Sequence, residues 1–233
     1  MIESITISVI IPVLNEADIL KALLLHLQQN SLTTNIKEII VVDGGSTDST
    51  IEIAKAMDAT VIKSKRGRAC QMNMGAKNAS GTILYFLHAD TLPPKHFDKA
   101  IIAAHEKGFG AGCFRMQFDT KNWALRFFAY LSKINHTLCR GGDQSLFVSK
   151  EIFDNSSGFN ENYLIYEDSE FIGRLYRVTH FKVLPQKVLT SARRYRQQGW
   201  LKVQFHFAII HLKNYLGANP EQLYQYYRSN LLN

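Results

Sequence analysis

Ile83-Leu84-Tyr85-Phe86-Leu87-His88-Ala89-Asp90-Thr91 is an apolar strand that delivers an acidic residue at its carboxyl end, just ahead of the break at Pro93-Pro94. In open parallel sheets ligands bind outside the carboxyl ends of the strands, so this stretch points to an α/β protein with its chemistry at that edge. Asp43 repeats the pattern after Ile39-Ile40-Val41-Val42, Asp143 follows Gly141-Gly142, and Glu167-Asp168 follows Tyr163-Leu164-Ile165-Tyr166. These acidic positions are expected to converge on one site.

Working outward, residues 5–12 read as a buried strand. Residues 15–27 read as a helix with Leu20, Leu23, Leu24 and Leu27 on one face. A second strand over 37–43 leads into the turn Gly44-Gly45-Ser46-Thr47-Asp48, where Ser46 or Asp48 is a candidate N-cap for a helix ending near 57. A short strand over 60–63, a helix over 68–78 and a strand over 82–87 follow. That alternation is the signature of βαβ units, hence a mostly parallel central sheet with helices on both faces. Beyond Pro94 the pattern gives a helix to 107, a strand over 111–118, a long aromatic helix over 123–138, a short strand over 145–149 and a helix over 168–178. One or two strands broken at Pro185 occupy 181–192. Residues 200–216 and 220–232 are helical and aromatic, and read as an arm docked on the same domain.

With 233 residues, 46% apolar and 20% charged, the chain suits one large domain or two small ones, and no linker-like stretch divides it. Its longest apolar runs are strand length, Met1 leads straight into a strand, and no signal peptide is visible. Three cysteines without metal-ligand spacing suggest free thiols in a reducing, cytoplasmic setting. A net charge of +7 implies an affinity for anions. The basic clusters lack an aromatic ladder or a recognition-helix pattern, which argues against nucleic acid.

Several residue types carry recognisable chemistry. Asp90 is a hard oxygen ligand suited to Mn2+ or Mg2+ carrying a diphosphate. His88, two residues earlier in an extended segment, points to the same side and could support the metal or a phosphate. Asp43, beside Gly44 and Gly45, could accept from a nucleobase N–H, with Pro12, Asn15 and Glu16 framing base and ribose; its bland alternative is a helix cap. Arg66, Gly67, Arg68 and Gln71 sit at a loop-to-helix junction, where backbone N–H groups and two guanidiniums favour phosphate oxygens. Glu167-Asp168 opens a helix, and a carboxylate there can act as general base toward a hydroxyl; its alternative is a dipole partner.

Taken in order, Ser8-Val9-Ile10-Ile11-Pro12-Val13-Leu14-Asn15-Glu16, Val41-Val42-Asp43-Gly44-Gly45-Ser46-Thr47-Asp48, Arg66-Gly67-Arg68 with Gln71 and Asn73, Phe86-Leu87-His88-Ala89-Asp90-Thr91 and Glu167-Asp168 resemble the family 2 glycosyltransferases of the GT-A fold. Gly142-Asp143-Gln144 and Ser191-Ala192-Arg193-Arg194 look most like the small arsenosugar-biosynthesis-type branch. The resemblance implies inverting transfer of a hexosyl group from a nucleoside diphosphate sugar, with UDP as the expected carrier. It puts Asp43 near the base with His88, Ala89 and Gly45 around the donor, Asp90 at a divalent cation (Mn2+ or Mg2+) and Asp168, with Glu167, at the catalytic position. Asp143 and Gln144 would line the sugar and acceptor side, and Arg193 or Arg194 would help Arg66 and Arg68 balance the diphosphate. The implied domain is 1–195, split into a nucleotide-binding half (1–110) and an acceptor half (111–195), with the arm at 196–233.

Two departures qualify that picture. His88-Ala89-Asp90 stands where many relatives carry two acidic residues, so metal binding would rest largely on the donor diphosphate. Arg194-Tyr195-Arg196-Gln197-Gln198-Gly199-Trp200 lacks the Gln-x-x-Arg-Trp box of processive synthases, which favours one sugar per encounter. The competing enzymatic reading, sugar nucleotidyl transfer, calls for a glycine-rich basic loop after the first strand that Pro12-Val13-Leu14-Asn15-Glu16 does not supply. A non-catalytic reading makes the chain a membrane-peripheral binding protein, held through the aromatic C-terminal helices. The same helices could instead cover the sheet or a homodimer interface.

Overall fold

A computed structural model describes residues 4–232. Its eight-stranded sheet runs in the order β3-β2-β1-β4-β7-β6-β8-β5. The first four positions, β3 (Thr60–Lys63), β2 (Ile36–Asp43), β1 (Ile7–Val13) and β4 (Ile83–Phe86), are all parallel. β7 (Leu146–Ser149) then pairs antiparallel with both β4 and β6 (Ala111–Phe118), while β6 runs parallel to β8 (Phe181–Thr190).

Every residue of β1 is buried, because helices cover both faces of the sheet. Ile7, Val9, Ile11 and Val13 pack with α1 (Ala17–Asn30) and α4 (Phe97–Glu106), whereas Ile10 meets α3 (Arg68–Asn78) and α7 (Glu167–Val178). The predicted leucine face of α1 is the buried one: Leu20, Leu23, Leu24 and Leu27 are all at most 1% exposed. Such a side chain contributes about 1.5–3 kcal/mol by its burial. α3 lies so close to β1 that a Cβ on Gly75 would stand 2.4 Å from Ile10 Cγ2. The close approach brings the start of α3 under the carboxyl ends of β1 and β2.

The structure departs from the sequence reading in several places and settles the strand count at Pro185. The helix expected over 123–138 stops as α5 (Trp123–Leu131). Arg140 donates to the carbonyls of Ser132 and Ile134, which a continuing helix would give to its own amides, and Ser132 Oγ bonds back to Ala129 O. Across Pro185, β8 stays one strand: Phe114 pairs with Leu184 and Arg115 with Lys187, so Pro185 and Gln186 form a bulge where a missing N–H costs no ladder bond. A two-residue strand, β5 (Thr91–Leu92), pairs with Leu189 and Thr190, and α6 (Lys150–Asn155) and α8 (Arg193–Gln198) are short helices whose length leaves little periodic signal. The other elements lie within a few residues of their expected bounds. The aromatic arm is α9 (Trp200–Tyr215) and α10 (Pro220–Leu231), the latter opened by an Asn219/Gln222 capping box.

Candidate active site

The loops after β1 and β2 are tied to each other before any ligand enters. Asn15 holds a left-handed φ of 55° and accepts from Thr47 N–H at 2.8 Å, and Glu16 N–H donates to Thr50 Oγ1 at 2.9 Å. Asp43 is 2% exposed and its carboxylate accepts from the amides of Gly45 and Ser46. It shapes the turn after β2, and α2 (Thr50–Ala56) has Ser49 as its N-cap in place of the expected Ser46 or Asp48. Asp48 accepts from Thr50 and Ala17, and these bonds hold its carboxyl below the usual range. Gln71 is likewise internal: its amide donates at 2.8 Å to Val13 O and Val42 O, bolting α3 under the two strand ends. Pro12 lies in the buried strand, and Arg66 is exposed on the loop before α3.

Gly67, with φ 135°, turns that loop into α3 and leaves Arg68 as its first residue. Arg68 reaches across to α7, where its Nε stands 2.6 Å from Glu167 Oε1. Glu167 is fully buried, and no described residue gives either of its oxygens a well-aligned hydrogen bond, so Arg68 meets it as an ion pair. Burial pushes the Glu167 carboxyl up, Arg68 pulls it down, and neighbouring Asp168 pushes it up again. Arg68 is held firmly protonated, chiefly by Glu167. Its side chain remains 42% exposed, which leaves guanidinium edge for a ligand.

Asp168, Asp90, His88 and Arg68 all line one cavity of about 690 Å3, together with Asp143, Gln144, Arg193 and Arg194. His88 does not face a phosphate position alone: its Nε2 lies 3.7 Å from Asp168 Oδ2. Among the described residues the Asp90 carboxylate accepts only one long hydrogen bond, from Thr91 Oγ1 at 3.5 Å, and it lines the cavity with its remaining lone pairs open. The backbone around it is fixed by β5 and by Ser191 N–H donating to Asp90 O at 3.1 Å. That pairing carries the chain onward to Arg193, whose Nη2 is 3.7 Å from Glu16 Oε2. Burial raises the Glu16 carboxyl, Arg193 lowers it, and Asp90 raises it in turn, which makes Glu16 the electrostatic link between the loops after β1 and β2 and the cavity.

Pro12, Asn15, Glu16, Asp43, Gly45, Arg66, Gln71, Ala89 and Glu167 do not line the cavity itself. They lie at the strand ends and loops beside it, in the first turn of α3 for Gln71, or at the start of α7 for Glu167. Gln144 lines it but its side chain is occupied, donating to Cys139 O and accepting from Arg140. Sequence reading missed Arg140. It is 4% exposed, and its guanidinium meets Cys113 Sγ, Gln144 Oε1 and the carbonyls of Ser132, Ile134 and His136, with no carboxylate among them. Arg140 thereby folds the 132–144 loop that presents Asp143. Nothing in the local sequence distinguishes such a staple from a surface arginine. Tyr166, whose hydroxyl pairs with His211 Nδ1 at 2.9 Å, was also missed; it links the start of α7 to the arm.

Among the described residues no group of three His, Cys, Asp or Glu side chains converges as a metal cage. A single open carboxylate fits a cation that arrives with phosphate oxygens and water as its other ligands, the usual mode for Mg2+.

The glycosyl transferase family 2 profile matches residues 8–189, and the chain belongs to that family. Among curated relatives, the PGL/p-HBAD biosynthesis glycosyltransferase of Mycobacterium tuberculosis is 30% identical over 176 residues, 70% of this chain and 67% of that protein. Other curated relatives are matched over only 26% and 31% of their own length. Two solved structures share the GT-A fold. S. aureus TarS 1–349 in complex with UDP-GlcNAc has a TM-score of 0.65 at 19% identity, covering 80% of this chain and 58% of that one. Glucosyl-3-phosphoglycerate synthase from Mycobacterium tuberculosis, in complex with Mn2+, UDP and glucosyl-3-phosphoglycerate, has a TM-score of 0.61 at 18% identity, covering 79% and 71%.

Proposed function

We propose that this protein transfers a sugar, one residue per encounter, from a nucleoside diphosphate sugar to an acceptor hydroxyl with inversion at the anomeric carbon. The observation that carries this reading is the meeting of Asp168, His88, Asp90 and Arg68 in one cavity. A carboxylate for a proton and cations for a diphosphate are the two things such a transfer needs.

Asp168 takes the proton of the acceptor hydroxyl as the oxygen attacks the anomeric carbon, and the bond from that carbon to the diphosphate breaks with its electron pair leaving on the phosphate oxygen. His88 lies beside Asp168 Oδ2 and limits how that carboxylate can turn, leaving Oδ1 for the incoming hydroxyl. Arg68, anchored by Glu167, receives the charge of the departing diphosphate, helped by Arg193 and Arg194, which line the same cavity. Glu167 is thus a positioning residue. Asp90 would hold a divalent cation, which supplies charge neutralisation on the diphosphate when bound. Asn15, Glu16 and the Asp43 turn form the nucleoside side, and the UDP-bound structures of the same fold support uridine as the base. Asp143 faces the sugar and acceptor side.

A panel of UDP-, GDP- and dTDP-sugars, read for the phosphorus product, tests the reading. Release of nucleoside diphosphate is the expected result. Release of inorganic pyrophosphate on supplying a nucleoside triphosphate and a sugar phosphate would transfer the site to nucleotidyl chemistry.

A further inference from the structure

Two helices beside the cavity carry apolar faces that none of the described residues covers. On α9, Leu201, Phe205, Ala208, Leu212 and Tyr215 follow one another at intervals of four, three, four and three residues, and all are exposed. Phe205 is 63% and Tyr215 86% exposed, while Val203 and Ile210 on the other side of the helix are fully buried. On α5 the same spacing sets out Trp123, Phe127 and Tyr130, with Trp123 77% exposed. Amphipathic stripes normally face a core, and contiguous exposed ones mark an interaction surface.

The two stripes border one opening. Phe128 and Leu131 of α5 and Phe207 and Ile210 of α9 line the cavity that holds Asp90 and Asp168. Leu138 and Leu232 line it as well and are themselves 71% and 55% exposed, so the apolar wall continues from the interior to the surface.

Charge selects the occupant. Arg193 and Arg196 are already paired with Glu16 and Asp119, but from residue 200 onward the sequence carries Lys202, Lys213 and Arg228 against Glu221 alone, and Lys121, Arg126 and Lys133 flank the α5 stripe. A second copy docked here would set like charges face to face. An anionic lipid surface offers the opposite sign together with an apolar interior for the stripes.

We propose that the α5 and α9 stripes seat this protein on an anionic phospholipid bilayer, and that the acceptor hydroxyl is borne by a lipid whose apolar part enters the cavity past Leu138 and Leu232. The acceptor half of this inference rests on the transferase reading above; the seating half does not.

Co-sedimentation of the full chain with phosphatidylcholine vesicles, with and without phosphatidylglycerol, tests the seating. The protein is expected in the pellet with the anionic vesicles and in the supernatant with the neutral ones. Phe127→Ser/Phe205→Ser, and separately Lys202→Glu/Lys213→Glu, should each lower partition by about ten-fold or more. Phe127, Phe205 and Lys202 are exposed and Lys213 is half-buried over the Tyr226 ring, so an unaltered thermal shift with nucleoside diphosphate is the control that shows the fold and donor site intact. Supernatant-only behaviour with anionic vesicles, or serine variants that sediment like the parent, overturns the proposal. So does a dimer in light scattering that the serine pair splits while vesicles are ignored, since that gives the face to a second copy. For the acceptor, radiolabel from the donor sugar should pass into the chloroform phase of a total polar lipid extract. Label confined to the aqueous phase overturns the lipid acceptor, and sedimentation without any donor binding leaves the seating standing while the transferase reading fails.

Discussion

His88 Nε2 lies 3.7 Å from Asp168 Oδ2, joining the carboxyl end of β4 to the first turn of α7 across 80 residues of sequence. The pair puts an imidazole beside the proposed general base, a neighbour for His88 beyond the metal or phosphate expected of it. Asp168→Asn keeps the shape of the site but cannot take a proton. Turnover should fall by roughly 10²–10⁴-fold, the usual range for a general base, with the donor dissociation constant within about two-fold of the parent. Steady-state kinetics beside calorimetric titration of the donor reads both quantities.

His88→Ala should reduce kcat with little change in donor affinity. Were His88 instead a ligand of the diphosphate or its cation, the donor dissociation constant would rise and the added effect of Mn2+ would shrink, which the same titrations detect.

Glu167 gives a pH signature. Its folded-state pKa is raised above the usual 4.5, chiefly by burial, so the folded protein binds that proton more tightly than the unfolded chain. The linked stabilisation is fully present below about pH 4.5 and is lost as pH rises through the higher folded-state value. Glu167→Gln removes this dependence. The Tm of the variant relative to the parent should therefore climb as pH is raised through that window, with donor affinity weakened because Arg68 loses its anchor. A Tm difference that is flat with pH would place the Glu167 carboxyl outside this linkage.

Gly75→Ala probes the contact that positions α3. The added Cβ would stand 2.4 Å from Ile10 Cγ2 and 3.0 Å from Val42 Cγ2, both in the core and unable to yield far. Such overpacking costs about 1–3 kcal/mol. Denaturant unfolding should show that loss, and because α3 carries Arg68 and Gln71, donor binding should weaken with it.

The parallel half of the sheet was legible because its strands are buried on both faces and read as continuous apolar runs: Ile39-Ile40-Val41-Val42 and Ile83-Leu84-Tyr85-Phe86 could be little else. The convergence of Asp90 and Asp168 on one cavity was legible for the same reason, since strand ends and helix starts meet at that edge. The loop after α5 was not. Its aromatics have helical spacing, yet its course is decided by Arg140 reaching back to Ser132 and Ile134 carbonyls, a tertiary choice invisible to periodicity. Asp43 and Gln71 show a related limit: a polar side chain at a strand end can face a ligand or its own backbone, and only the hydrogen bonds distinguish the two.

The division of labour between Asp90 and Asp168 is most directly tested by calorimetric titration of UDP, GDP and dTDP, with and without Mn2+, into the parent, Asp90→Ala and Asp168→Asn proteins. One of the nucleotides is expected to bind the parent saturably and more tightly with Mn2+. Asp168→Asn should keep that behaviour and Asp90→Ala should lose the Mn2+ enhancement. Binding in the Asp90→Ala protein that still tightens with Mn2+, or no binding of any of the three to the parent, would contradict a donor site at this cavity.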